Sequence, residues 1–135
     1  MLIGSGPLSD DIKLIVDNKK LTEKVIFVEN TDEIDKYYSA FDMYVFPSIY
    51  EGMPVSPIEA ETSGLPTLMS DRITRETYIS NMTAFIPLND MTMWSDLILS
   101  VIENKHDEFN REHAVIDFEK FDRKKTFKII EELYN

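Results

Sequence analysis

"MYVFPSIYEGMPVSPIEAETSGLPTLM", residues 43–69, contains a complete strand-helix-strand pattern. It begins with "MYVF" (43–46), apolar at every position, which is typical of a strand in a sheet covered by helices on both faces. It ends with "PTLM" (66–69), another short apolar run. Because the segment between them has helix signals, the stretch predicts two parallel strands joined by a helix.

The helix inside this stretch has recognisable start and stop signals. Ser56 is a predicted N-cap, Pro57 would take the first helical position, and Glu59 would complete a capping box. Gly64 suits the position just after a helix, where the backbone often turns left-handed. We therefore expect a short helix over about 57–63.

The rest of the chain continues the alternation of strands and helices. Further strands are predicted in three apolar runs: "MLIGSG" (1–6), "KVIFV" (24–28) and "AFIPL" (84–88). Further helices are predicted at 10–19 and after Asn30, which would be the N-cap of its helix. Another is predicted along the apolar stripe from Trp94 to Ile102. Two polar helical segments follow, and the last of them is "RKKTFKIIEELYN" (123–135). The predicted fold is a Rossmann-like α/β domain, with a parallel sheet and helices on both faces, that occupies the whole chain, 1–135.

Composition and charge limit the classes of function. The 135 residues suffice for one domain, and 43% hydrophobic with 29% charged residues is typical of a globular protein. The chain has no cysteine, which excludes disulfides and thiolate metal sites and fits a cytoplasmic protein. Fourteen Lys and Arg against 25 Asp and Glu give a net charge of -11, which argues against nucleic acid as a partner.

Two carboxylates define a candidate ligand site. Ligands of open α/β sheets bind at the carboxyl ends of the strands, where Glu51 lies in the loop after strand 43–46 and Glu59 in the following helix. A helix start attracts phosphate, a carboxylate accepts two neighbouring hydroxyls, and Gly52 admits a ligand close to the backbone. This combination suits a nucleotide sugar, which has hydroxyls at both ends and phosphate between them.

The same segment resembles the donor-binding signature of the retaining GT-B glycosyltransferases, of the glycosyl transferases group 1 or family 4 type. Its matching positions are Pro47, Ser48, Glu51, Gly52, Pro54, Glu59, Ala60, Gly64, Pro66, Ser70 and Asp71, with the two glutamates as the E-x7-E pair. The likeness extends to "LIGSGP", to "VIFVENTDEIDKYYSAFDMYVFPS" and to "FIPLND". "GLPTLMSDRITRE" is most similar to members that assemble capsular or extracellular polysaccharide.

The resemblance implies a role for each matching residue. Glu59 would accept the ribose hydroxyls of the donor, and Glu51, the catalytic residue, would hold a hydroxyl of the transferred sugar. Donor contacts are further implied for Gly52, Met53, Pro54 and Val55, through their backbone amides except at proline, and for Gly4, Gly6, Glu29 and Asn30, near the early strands. The implied reaction is hexosyl transfer from a nucleoside-diphosphate sugar to a hydroxyl acceptor, with retention and without metal or cofactor; the sequence has no Asp-x-Asp triplet.

Parts of the family pattern have no counterpart in this sequence. A complete GT-B enzyme has an N-terminal acceptor domain, and its donor domain begins with a segment that supplies Arg and Lys to the diphosphate. We therefore expect this chain to be the C-terminal part of a donor domain within a longer cytoplasmic gene product, attached to the inner membrane face through its acceptor domain. Alone, it should be inactive in glycosyl transfer, and it should pair with itself or be marginally stable.

Two alternatives remain open at this point. One is a flavodoxin-like binding or regulatory module without transferase activity, which would not need paired glutamates around Gly52 and Pro54. The other is a different GT-B enzyme, such as a sugar epimerase. Glu59 could also serve only as a capping-box residue, and Glu51 could be an ordinary solvated loop acid.

Overall fold

The computed structural model describes residues 1–103, 109–122, 124–125 and 131–132. Its backbone contacts divide the chain into two units, Met1–Ile34 and Asp35–Asn135. Both units contain parallel strand pairs, as the alternating pattern predicted. The last predicted helix, "RKKTFKIIEELYN", lies outside the described residues except at 124–125 and 131–132.

The first unit contains a two-stranded parallel sheet and one helix. Strand β1 (Leu2–Ile3) pairs with β2 (Phe27–Val28), and helix α1 (Ser9–Asn18) connects them. The second strand is shorter than the predicted 24–28, because the amides of Lys24 and Val25 both donate to the Leu21 carbonyl in a turn. On α1 only Val16 is buried.

The second unit contains a three-stranded parallel sheet in the order β3-β4-β5. Its strands are β3 (Tyr44–Phe46), β4 (Thr67–Ser70) and β5 (Thr83–Ile86). Over residues 34–103 its α-helices are α2 (Ile34–Ala40), which begins at the unit boundary, α3 (Val55–Thr62) and α4 (Met91–Ile102). All four residues of β4 are buried, as expected for a central strand between two partners.

The apolar core of the second unit lies between the sheet and α4. It consists of buried side chains from both, with two from the connecting segments: Leu68, Met82, Ile86, Trp94, Val101 and Phe109. Trp94 also donates its indole N–H to the Pro87 carbonyl at 3.0 Å. Burial of each such large side chain contributes about 1.5–3 kcal/mol, so this stripe fixes α4 against the strands.

The predicted start of α3 is wrong by two residues. The N-cap is Pro54, whose extended backbone (φ -69°, ψ 129°) leads directly into Val55 as the first helical residue. Ser56 is therefore inside the helix and caps nothing. Pro57 is the third helical residue, where its missing N–H would have had no partner within the helix anyway. Glu59 lies in the fifth position, beyond the reach of a capping box.

The end of α3 agrees with its prediction. Gly64 has φ +71°, and its N–H donates to the Glu61 carbonyl at 2.9 Å. The Leu65 N–H donates to the Ala60 carbonyl at 3.1 Å, which completes a Schellman motif.

The predicted cap of α2 is wrong. This helix begins at Ile34, so Asn30 is too far upstream to cap it. The intervening residues form a local turn instead, in which the hydroxyl of Thr31 accepts from the Glu33 N–H at 3.1 Å. Such a turn competes with the helix for backbone hydrogen bonds.

The segment after α4 packs back onto the second unit. The guanidinium of Arg111 donates to the carbonyls of Phe41 at 3.1 Å and Ser63 at 2.7 Å, just beyond the ends of α2 and α3. The Asp117 N–H donates to the Ile79 carbonyl at 2.8 Å. Among the described residues, no helix has the length and apolar character needed to cross a membrane.

Candidate functional site

The first carboxylate of the motif is fixed by a neighbouring hydroxyl. Strand β3 ends at Phe46, and the loop that follows places Glu51, half-buried, at the carboxyl end of the sheet. Ser48 donates its hydroxyl to Oε1 of Glu51 at 2.9 Å. Because one oxygen is engaged, the carboxylate has a preferred orientation in which Oε2 can accept from a ligand.

The second carboxylate is fixed by a hydroxyl from a different element. Glu59 is exposed on α3, and its Oε2 lies 3.2 Å from the phenol oxygen of Tyr38 on α2. The same phenol lies 3.2 Å from the backbone carbonyl of Ser56. Tyr38 itself is only 3% exposed, so its ring is anchored in the core while its hydroxyl reaches the site.

A second phenol supports the beginning of α3. Tyr44, on β3, donates its hydroxyl to the Ser56 hydroxyl at 2.9 Å, and its ring meets that of Tyr38 edge-on at 5.8 Å. Burial is the main reason why the pKa of Tyr38 and that of Tyr44 are both raised, and Glu59 raises them further. Both phenols therefore stay protonated at neutral pH and act as hydrogen-bond donors.

The start of α3 offers few backbone donors. The N–H groups of the first turn have no partner within a helix, but Pro54 and Pro57 have none to offer, which leaves those of Val55 and Ser56. The position where Gly52 would carry a Cβ is open space, and Met53 is 51% exposed. This small set of amides, next to two oriented carboxylates, can bind an anionic group flanked by hydroxyls.

A buried carboxylate connects α3 to the chain before β5. Glu61 is fully buried and accepts from the Ile79 N–H at 2.7 Å and from the Thr83 hydroxyl at 2.6 Å. Burial raises the pKa of Glu61, while these hydrogen bonds and the charge of Lys120 oppose the shift. The helix that contains Glu59 is thereby tied to the sheet from its inner face.

Sequence reasoning missed the residues that hold the two glutamates. The helical spacing of Tyr38 with Ile34 and Phe41 indicates a core position, which is right for its ring but gives no signal for its hydroxyl. Ser48 was recognised only as a position of the motif. Two arginines also follow β4 at the same edge of the sheet. The Nε of Arg72 lies 3.8 Å from Oδ1 of Asp71, and the guanidinium carbon of Arg75 lies 4.7 Å from the centroid of the Phe85 ring.

The remaining predicted donor residues lie together in the first unit. Gly4 has φ +132°, and a Cβ at this position would lie 3.9 Å from Oδ1 of Asn30. The Gly6 N–H donates to the Ser9 hydroxyl at 3.0 Å, which shapes the turn into α1. A cavity of about 700 Å³ includes Gly4, Gly6 and Glu29 in its lining.

Metal binding has no obvious location in the described chain. Within residues 1–103 and the later described ranges, no group of three or more His, Cys, Asp or Glu side chains is arranged to hold a metal ion.

Comparison with known proteins assigns the family. A family model described as "Glycosyl transferases group 1" matches residues 1–117, and the chain belongs to this family. The putative glycosyltransferase EpsF of Bacillus subtilis (strain 168) is 40% identical over 76 residues, which are 56% of this chain and 20% of EpsF. The O-antigen chain mannosyltransferase RfbU of Salmonella typhimurium is 30% identical over 123 residues, which are 88% of this chain and 35% of RfbU.

A solved structure extends the likeness to the fold. The crystal structure of the pneumococcal O-GlcNAc transferase GtfA, in complex with UDP and GlcNAc, matches with a TM-score of 0.66 at 19% identity. The match covers 82% of this chain and 24% of GtfA. The predicted parallel α/β fold of GT-B glycosyltransferases is thus confirmed. The chain spans about a third or less of the length of these three relatives.

Proposed function

We propose that this chain forms the donor-binding part of a retaining glycosyltransferase that transfers a hexosyl group from a nucleoside-diphosphate sugar to a hydroxyl acceptor. The observation that supports this most is the pair of oriented carboxylates: Ser48 holds Glu51, and Tyr38 holds Glu59, on either side of the start of α3. Together with membership of the glycosyl transferases group 1 family, this arrangement favours an enzyme over a flavodoxin-like regulatory module.

Each part of the site has a role in the proposal. Glu59 accepts the ribose hydroxyls, the Val55 and Ser56 amides lie toward the diphosphate, and Glu51 accepts a hydroxyl of the transferred sugar. In the reaction the bond from the anomeric carbon to the diphosphate breaks and a bond to the acceptor oxygen forms. The acceptor's proton leaves with the nucleoside diphosphate, so atoms and charge balance in this step.

The acceptor side of the reaction involves protein outside this chain. We propose that an acceptor domain of the same enzyme completes the active site, and that the donor contacts predicted for Gly4, Gly6, Glu29 and Asn30 belong to the first unit. The name of RfbU supports a product in O-antigen or a related cell-surface polysaccharide. We propose accordingly that the enzyme is cytoplasmic and reaches the inner face of the membrane through its acceptor domain.

The proposal is tested by titrating the ¹⁵N-labelled chain with UDP, GDP and ADP and following its amide chemical shifts. We expect one nucleotide to shift residues 51–59 and Glu59→Ala to weaken its binding about tenfold, since a hydrogen bond to a charged group contributes about 1.5–3 kcal/mol. Glu112→Ala, an exposed glutamate outside the motif, is the matched control. Absence of shifts with all three nucleotides would contradict the proposal for this chain.

A further inference from the structure

The ring of Tyr38 is held on two sides by other aromatic rings. It meets Phe41 edge-on at 6.4 Å and Tyr44 edge-on at 5.8 Å, and it is 3% exposed. Edge-to-face pairs of this kind stabilise the arrangement of the rings beyond the area they bury. The position of the phenol oxygen is therefore set by the core and not by solvent.

The Tyr38 hydroxyl faces two acceptors, and both belong to α3. One is Oε2 of Glu59 and the other is the Ser56 carbonyl, each at 3.2 Å. Glu59 is otherwise an exposed glutamate, a long side chain that loses much rotamer entropy when it is fixed. A fixed partner on one oxygen removes part of that cost before a ligand binds.

We propose that Tyr38 is a positioning residue for the recognition of the donor's ribose. Its hydroxyl holds Oε2 of Glu59 so that the carboxylate is already oriented, with Oε1 available to the ribose hydroxyls. The inference rests on the proposed function and assigns to α2 a part in nucleotide selection. Tyr38 acts through Glu59 and does not itself touch the ligand.

A purely structural role of Tyr38 and a positioning role can be distinguished by comparing ligands with and without ribose hydroxyls. If Tyr38 only supports α3 through the Ser56 carbonyl, its loss weakens every ligand of the site to the same extent. If it orients Glu59, its loss weakens only those ligands that have ribose hydroxyls. The useful quantity is therefore the ratio of the Kd of a 2′,3′-dideoxynucleotide to that of the ordinary nucleotide.

The experiment measures this ratio by calorimetry for UDP, GDP and ADP, each with its 2′,3′-dideoxy form. The proteins are the wild type and Tyr38→Phe, which retains the ring. Two control variants are Tyr37→Phe, on the same helix, and Tyr44→Phe, which removes a hydrogen bond to Ser56 but none to Glu59. We expect a wild-type ratio of about ten, and a ratio at least threefold smaller in Tyr38→Phe, with the Kd of the dideoxynucleotide unchanged.

The remaining outcomes overturn the inference in distinguishable ways. A ratio that Tyr38→Phe leaves unchanged, or an equal loss of both affinities, refutes the positioning role while the donor site stands. A similar fall of the ratio in the Tyr44→Phe control refutes the specific link to Glu59. A wild type that binds none of the six nucleotides overturns the proposed function, and this inference with it.

Discussion

The hydroxyl of Ser48 donates to Oε1 of Glu51 across 2.9 Å, within one turn of the loop that follows β3. The same hydroxyl lies 3.4 Å from the Tyr50 carbonyl. Since Glu51 is the carboxylate proposed to contact the transferred sugar, Ser48 should influence the sugar end of the donor more than its nucleotide end.

Replacement of Ser48 by alanine should reduce the extra affinity that the sugar adds to the nucleotide. We expect the Kd of the nucleotide sugar to rise about fivefold while that of the nucleoside diphosphate stays constant, because one hydrogen bond to a charged group is lost. Ser48→Thr keeps a hydroxyl and should behave as the wild type. Calorimetry with matched nucleotide and nucleotide-sugar pairs makes the comparison, and an equal loss for both ligands would argue against this role.

Replacement of Glu61 by alanine should destabilise the second unit strongly. The Ile79 N–H and the Thr83 hydroxyl would lose their acceptor inside the protein, at a cost of about 3 kcal/mol in the free energy of unfolding. Trp94, the single tryptophan, is 5% exposed and reports the transition by fluorescence in urea. Glu76 is an exposed glutamate, and Glu76→Ala should lower the free energy of unfolding far less.

The contribution of Glu61 should also depend on pH. Because burial raises its pKa in the folded state, the folded protein keeps a proton that the unfolded chain releases near pH 4.3. The free energy of unfolding of the wild type relative to that of Glu61→Gln is therefore highest below the unfolded-state pKa of Glu61. It declines as the pH rises through the folded-state pKa. Urea titrations of both proteins from pH 4 to 8 measure the difference, and a difference that grows with pH would contradict this prediction.

Replacement of Gly64 by alanine should cost about 1 kcal/mol of stability. Gly64 follows α3 with φ +71°, a conformation that is unfavourable for residues with a Cβ. The nearest atom to an added Cβ would be the Cβ of Ala114 at 3.8 Å, which is an ordinary van der Waals contact. The cost is thus conformational and not a clash. Gly64→Asn should be better tolerated than alanine in the same fluorescence assay, and the reverse order would show that the side-chain volume matters instead.

The isolated chain should associate with itself through its first unit. Several large apolar side chains are exposed there: Leu2, Leu8, Leu14, Ile15, Ile26 and Phe27. Leu14→Lys should weaken the association about tenfold, because burial of one leucine contributes about 1.5–3 kcal/mol. Sedimentation velocity over a range of concentrations measures the equilibrium, and a wild-type monomer at every concentration would disprove it.

The sequence was informative wherever apolar spacing determines structure. The runs that became β3, β4 and β5 were predicted to within two residues and the stripe of α4 to within three, since burial imposes a regular pattern on the chain. The family, predicted from the motif around Glu51 and Glu59, was confirmed by the family model that matches residues 1–117.

Polar contacts between distant residues were not predictable in this way. The spacing of Ser56 to Glu59 matches a helix cap, yet both side chains are bound by phenols from other elements. Tyr38 donates to Glu59, and Tyr44 donates to the Ser56 hydroxyl. Glu61 finds its partners 18 and 22 residues away, and nothing in its neighbours indicates a buried carboxylate. Local signals compete with tertiary hydrogen bonds, and in this site the tertiary bonds dominate.

The return of the chain after α4 has a consequence for anyone who wishes to express a smaller piece of this protein. A product that stops at Ile102 retains β3 to β5 and α2 to α4, but it loses the two guanidinium donors of Arg111 and the Asp117 N–H that donates to the Ile79 carbonyl. Crystallisation or screening fragments should therefore extend past Lys120, whose ammonium still reaches the Tyr78 carbonyl.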